Sequence, residues 1–151
     1  MIYILLACAL FVTDGIIKYK VEKNGRAGEI LPVLPGKLLL RKFHNTGAML
    51  GMGARKQKRV AGLSILFTVF MSGVYVATLG YKGKGLLKTG LSLLLGGAYS
   101  NTYDRIMRKY VVDYVSFPVK NKKIRNIVFN ISDFGIMIGS LLLCLSALSE
   151  E

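Results

Sequence analysis

VAGLSILFTVFMSGVYVATLGY, residues 60–81, carries no charge at any of its 22 positions. At a helical rise of about 1.5 Å per residue it is long enough to cross a hydrocarbon core of about 30 Å. That stretch decides the fold class: a membrane protein built from α-helices. Working outward, residues 2–18 are apolar up to Lys18 apart from Thr13, Asp14 and Gly15, and form a shorter span with a carboxylate near its end. Residues 85–103 form a third span, interrupted by Lys88, which lies close enough to the start to snorkel to the interface. Residues 127–149 form a fourth, interrupted only by Asp133 in its first third. Four transmembrane helices in one integral membrane domain, residues 1–151, are expected.

Between the first two spans lies a polar segment, about residues 20–58, punctuated by Gly25, Gly28, Pro32, Pro35 and Gly36. Short apolar stretches between such breakers predict strands and turns, so a small β-cradle at the membrane surface is expected between helices 1 and 2. A second polar, basic segment, 104–126, links the last two spans, and the 82–88 connection is short. If each span crosses once, the two polar segments share one side of the bilayer. Near the N-terminus, Leu5-Leu6-Ala7-Cys8 looks like a lipoprotein cleavage box. No positive charge precedes it, and its apolar run is shorter than the ~7–15 residues of a signal h-region, so it reads as the start of a retained helix.

Composition excludes several classes. The chain is 52% apolar with mean hydropathy +0.46, yet carries 21 Lys+Arg against 8 Asp+Glu, a net charge of +13. Nucleic-acid binding would need a basic soluble face with aromatics free to stack, whereas Phe67, Phe70 and Tyr75 sit inside an apolar run. Cys8 and Cys144 lie in apolar stretches at opposite ends and His44 is the only histidine, so no metal site is expected. Of the 21 cations, eighteen fall in or beside the two polar segments. The positive-inside rule would place those segments in the cytoplasm.

The scarce acids carry more information. All four aspartates, Asp14, Asp104, Asp113 and Asp133, sit within or just beyond the end of a span, and alternating crossings put them on one side. An ionisable group at membrane depth is costly and is a functional-site hypothesis by default. Asp14 has Lys18 one helical turn on, and Asp104 has Arg105 and Arg108, so structural ion pairs are open to both. Asp133 has no cation within four residues, and Asp113 has only Lys109, four residues before it. Two carboxylates in a poorly hydrated site cannot both ionise cheaply. Sharing one proton, they can activate a water against an amide and protonate the departing nitrogen. Asn101 and Arg105 share a helical face with Asp104, as Asn130 does with Asp133. An intramembrane aspartyl hydrolase and an ion-coupled carrier both remain open at this point.

Five blocks in order resemble the lipoprotein signal peptidases (signal peptidase II). Asp14-Gly15-Ile16-Ile17-Lys18 is similar to that family's D-x-x-x-K, and His44-Asn45-Thr46-Gly47-Ala48-Met49-Leu50-Gly51 to its N-x-G-A-a-f-G. Gly96-Gly97-Ala98-Tyr99-Ser100-Asn101-Thr102-Tyr103-Asp104-Arg105 is similar to G-G-A-x-G-N-x-x-D-R. Val111-Val112-Asp113-Tyr114 matches V-V-D-[FY], and Phe129-Asn130-Ile131-Ser132-Asp133 matches F-N-v-A-D. The resemblance implies four membrane helices with an extracytoplasmic β-cradle, in the bacterial cytoplasmic membrane. It implies cleavage of prolipoproteins before a diacylglyceryl-modified cysteine, with Asp113 and Asp133 as the catalytic pair. Asn45, Gly47, Asn101, Arg105 and Asn130 would hold the substrate, and Asp14, Lys18 and Asp104 would support the site. No metal or cofactor is expected; membrane lipids and globomycin-like cyclic peptide inhibitors are expected partners.

The chain departs from the family pattern at Ser100, Ser132, Phe134 and Met49-Leu50, which read as pocket-wall changes that bear on substrate range and inhibitor fit. The outward-facing dyad also sets the cations against the positive-inside rule. Attraction to anionic outer-leaflet lipids, at about 1 kcal/mol per cation, is one rationale. The alternative function is a non-catalytic relative that binds lipidated peptides or anionic lipid at the membrane surface.

Overall fold

A computed structural model describes residues 1–26, 28–33, 37–47, 53 and 56–149, with Lys122 and Lys123 described by backbone only. The Ala48–Gly51 part of the second block, Pro35, Gly36, Arg55 and the tail acids Glu150 and Glu151 lie outside the described residues. The elements run α1 (Ile2–Asn24), β1 (Ile30–Val33), β2 (Leu38–Asn45), α2 (Gln57–Leu79), α3 (Gly85–Met107), β3 (Val111–Ser116), α4 (Lys122–Arg125) and α5 (Ile131–Leu148).

Helix α1 extends past the expected end near Lys18 to Asn24, because no breaker intervenes before Gly25, whose N–H closes the helix on Val21 O at 2.9 Å. Glu22 therefore belongs to the helix and not to the cradle. It ties the last turn to β2 through Lys42 Nζ at 2.9 Å and His44 Nε2 at 2.6 Å. The sheet is antiparallel in the order β1-β2-β3, with Phe43 opposite Asp113 and Asn45 opposite Val111. Its third strand comes from the segment after α3, so the cradle is not confined between helices 1 and 2 as expected. That pairing also brings the two polar segments to one end of the bundle.

Among the described residues three helices, α1, α2 and α5, are long and apolar enough to cross a membrane. Helix α3 falls short in apolarity for a physical reason. It packs against α1, α2 and α5, and thirteen of its residues are buried, among them Lys88, Ser92, Ser100, Asn101, Thr102 and Asp104. A helix surrounded by helices does not need an apolar face toward lipid. Among the described residues fourteen buried side chains are polar or charged and nine are apolar, while Leu63, Leu66, Phe70 and Val76 stand exposed on α2. Polar inside and apolar outside is the arrangement a lipid solvent selects.

Close helix approach depends on glycine. A Cβ on Gly97 would collide with the Ser132 carbonyl, and one on Gly139 would meet Gly90 O at 2.6 Å, so α3 and α5 touch backbone to backbone. Lys88 does not snorkel outward. It is buried, and its ammonium donates to Leu79 O at 3.4 Å and to Tyr81 O, capping the end of α2 beneath the Tyr3 ring. The fourth expected span also begins later than residue 127. Phe129 exchanges backbone hydrogen bonds with Val115 at 2.7 Å each way, and α5 opens only at Ile131.

Candidate active site

The site forms where β3 delivers Asp113 beside the start of α5. Asn130 is the N-cap of that helix and Asp133 its third residue. The Asn130 side chain accepts from Asp133 N at 2.9 Å, and Asp133 Oδ2 accepts from Asn130 N at 3.0 Å. This reciprocal capping box explains the three-residue spacing, which is a helix start and not a shared helical face. It leaves the Asn130 amide free to donate to Asp113 Oδ1 at 2.7 Å. One asparagine thus touches both carboxylates.

Each of the four carboxylate oxygens receives a nitrogen donor. Asn45 Nδ2 donates to Asp113 Oδ2 at 2.9 Å, and Asn101 Nδ2 donates to Asp133 Oδ1 at 2.9 Å. Asp113 is buried at 1% exposure. Its carboxyl is pushed up to about 7, first by burial and next by the Asp133 carboxylate, against the lowering effect of the Asn45 and Asn130 amides. At neutral pH such a group holds a proton much of the time. Asp133, at the positive end of α5, faces the helix dipole.

Behind the pair lies a buried ionic cluster. Lys18 Nζ reaches Asp14 Oδ2 at 2.7 Å and Asp104 Oδ2 at 3.1 Å, and donates to Asn101 Oδ1 at 2.9 Å. It thereby fixes which end of the Asn101 amide faces Asp133. Asp104 also accepts from Val112 N at 3.2 Å and pairs with Arg108 at 3.4 Å, which ties α3 to β3. Arg105 instead turns away from Asp104. Its guanidinium donates to Gly47 O at 3.1 Å and Asn101 O at 3.3 Å, and Gly47 N donates to Asn45 Oδ1 at 3.0 Å. Lys109 does not serve Asp113. Its backbone turns at φ 71, and its ammonium donates to Ile106 O at 2.8 Å.

A cavity of about 150 Å³ opens in front of Asp133, lined also by Asn101, Arg105, Thr68, Phe67, Ala98, Ile136 and Met137. Arg105 Nε is buried there with no hydrogen-bond partner among the described residues. The cavity walls come from α2, α3 and α5, and its rim is apolar.

The family profile for signal peptidase (SPase) II matches residues 6–149. The chain belongs to the signal peptidase II family. It is 32% identical to the lipoprotein signal peptidase of Moorella thermoacetica over 94% of this chain and 89% of that one. It is 30% identical to the lipoprotein signal peptidase of Bacillus subtilis, over 100% of this chain and 96% of that one. A solved bacterial membrane enzyme, determined by the in meso method at 2.3 Å resolution, shares the fold with a TM-score of 0.82 at 24% identity, covering 98% of this chain and 88% of that one.

For a signal peptidase II family member, the ten residues singled out in the sequence assemble as one connected set. Asn45, Asn101, Asn130, Asp113 and Asp133 form the front, Gly47 and Arg105 the flank, and Asp14, Lys18 and Asp104 the back. Three departures from the family pattern do not line the cavity. Ser100 and Ser132 are buried and donate to Asp14 Oδ2 at 2.6 Å each. Phe134 packs against Phe117 and Phe129, with centroids at 6.3 and 5.7 Å. Met49 and Leu50 lie outside the described residues. One participant escaped sequence reasoning. Tyr114 donates to Asp14 Oδ1 at 2.7 Å and accepts from Ile131 N at 3.1 Å. Burial and the nearby Asp14 carboxylate push its phenol well up, so it stays an O–H donor. The signal available was its place next to Asp113.

Proposed function

We propose that this chain is an aspartyl endopeptidase of the membrane that removes the signal peptide from prolipoproteins before a diacylglyceryl-modified cysteine, with Asp113 and Asp133 as the catalytic pair. The observation that carries the reading is the dyad itself: two carboxylates joined through Asn130, every oxygen held by a nitrogen donor, and Asp113 proton-bearing near neutrality. Water adds to the scissile carbonyl carbon while ionised Asp133 takes its proton and protonated Asp113 gives its own to the carbonyl oxygen. The resulting gem-diol is neutral. Asp133 then protonates the amide nitrogen, a gem-diol hydroxyl returns a proton to Asp113, and the C–N bond breaks. The dyad ends with the single proton it began with.

Around that chemistry the Arg105 guanidinium, the Gly47 backbone and the three asparagines hold the extended peptide, and the apolar cavity wall takes side chains beside the scissile bond. The cavity lies in the gap between α2 and α5, open toward lipid. A substrate tethered by its acyl chains enters there without leaving the bilayer. Cyclic peptides of the globomycin type would compete by occupying the dyad.

In this reading α3 is the fourth span, and the sheet end of the bundle faces the extracytoplasmic side of the bacterial cytoplasmic membrane. The eighteen cations in and beside the two polar segments then meet anionic headgroups. The deciding experiment incubates purified protein with a diacylglyceryl-modified prolipoprotein and maps the product. Cleavage before the modified cysteine, lost in Asp113→Asn and in Asp133→Asn, is expected. Binding without cleavage by the unmodified chain would refute the reading in favour of a lipopeptide binder.

A further inference from the structure

Asp14 is fully buried, and its partners exceed what charge balance demands. Lys18 alone, at 2.7 Å, neutralises it. Three hydroxyls nevertheless converge on the same carboxylate: Ser100 and Ser132 on Oδ2 at 2.6 Å each, and Tyr114 on Oδ1 at 2.7 Å. Each hydroxyl belongs to a residue whose chain neighbour is part of the reacting centre. Ser100 precedes Asn101, Ser132 precedes Asp133, and Tyr114 follows Asp113. The Ser100 hydroxyl has no freedom left, since it also accepts from Lys18 Nζ at 3.0 Å. One carboxylate on α1 therefore grips α3, β3 and α5 one residue away from Asn101, Asp113 and Asp133.

We propose that Ser100 and Ser132 are positioning residues for peptide-bond hydrolysis, acting through Asp14 to set where Asn101 and Asp133 present their polar atoms. The inference rests on the dyad reading above. Neither hydroxyl reaches the cavity, so neither touches substrate. Their effect falls on the geometry of the chemical step, where a displacement of about 1 Å costs as much as ~10²-fold. They also disperse the Asp14 charge.

The test uses full-length protein in detergent with a diacylglyceryl-modified prolipoprotein, comparing wild type, Ser100→Ala, Ser132→Ala, the double variant and Asp113→Asn. Expected are a several-fold fall in kcat for each single variant and about 10- to 100-fold for the double. KM should be unchanged. Melting temperatures separate positioning from unfolding, because each single variant leaves Asp14 three of its four partners. If the double variant does not accumulate, the two single variants carry the test. Wild-type kcat in the serine variants, beside an inactive Asp113→Asn, overturns this inference and leaves the dyad standing. A loss that appears only in KM, or only in proportion to unfolded protein, overturns it too. Turnover by Asp113→Asn would sink the dyad reading, and the inference with it.

Discussion

Replacing Asp113 by Asn should abolish turnover and, near neutral pH and above, make the protein more stable. The folded carboxyl sits at about 7 against an ordinary 3.8, raised first by burial and next by the Asp133 carboxylate. The folded value lies above the unfolded one, which sets the sign. Below about pH 4 both states hold the proton and nothing is lost. As pH rises toward 7 the unfolded chain releases its proton first and stability falls, levelling off above 7. A gap of about three pH units at ~1.4 kcal/mol each gives a loss of about 4 kcal/mol. Asparagine cannot ionise, so that loss disappears. Its own NH₂ must however face one of the two amides that donate to Asp113, which takes back about 1–3 kcal/mol. The net expectation is a variant more stable than wild type by about 1–3 kcal/mol above neutrality and no more stable near pH 4. Far-UV circular dichroism melts of both proteins in one detergent, stepped across that range, read this directly. Turnover of a lipidated prolipoprotein should fall by at least ~10²–10⁴-fold. Parallel melting curves at every pH, with no crossing between the two proteins, would refute the burial argument whatever the activity.

Lys18→Met should strand the buried carboxylates of Asp14 and Asp104 without their shared ammonium. A loss of about 3–5 kcal/mol is expected, read as a lower melting temperature or failure to accumulate in the membrane. Gly97→Ala should force α3 and α5 apart at the Ser132 carbonyl. It should cost about 1–3 kcal/mol in stability and reduce kcat, and a fully active variant would contradict the backbone contact. A topology reporter fused after Glu151 should read out in the cytoplasm, and an extracytoplasmic readout would reverse the proposed orientation.

Much of this architecture was legible in the residues because lipid imposes simple rules. An uncharged run such as 60–81 has little choice but to be a helix, and a carboxylate such as Asp133 at membrane depth must have a reason to be there. What the sequence could not convey was tertiary. The run 85–103 was legible as a helix, but not that Lys88, Ser92, Ser100, Asn101 and Asp104 along it are buried against neighbouring elements. The strand Val111–Ser116 looks like part of a basic linker until β2 is placed beside it. Asn130 and Asp133 were visible as a spaced pair, yet the spacing signified a helix cap, and the cap is what frees an amide for Asp113. Ser100 and Ser132 read as pocket wall because they neighbour site residues. Helical rotation of about 100° per residue turns them off the cavity wall and onto Asp14.

The capping box has a consequence for when this chain becomes active. The bonds that start α5 are the bonds that aim Asp133, and the same asparagine steadies Asp113. On the mechanism proposed above, cutting competence therefore arrives with the start of the last helix against the sheet. Asp113 is synthesised before Asn130 and Asp133, so on the mechanism proposed above a partly made chain holds one carboxylate of the pair without the other. On that mechanism the fold withholds its own chemistry until the final helix docks.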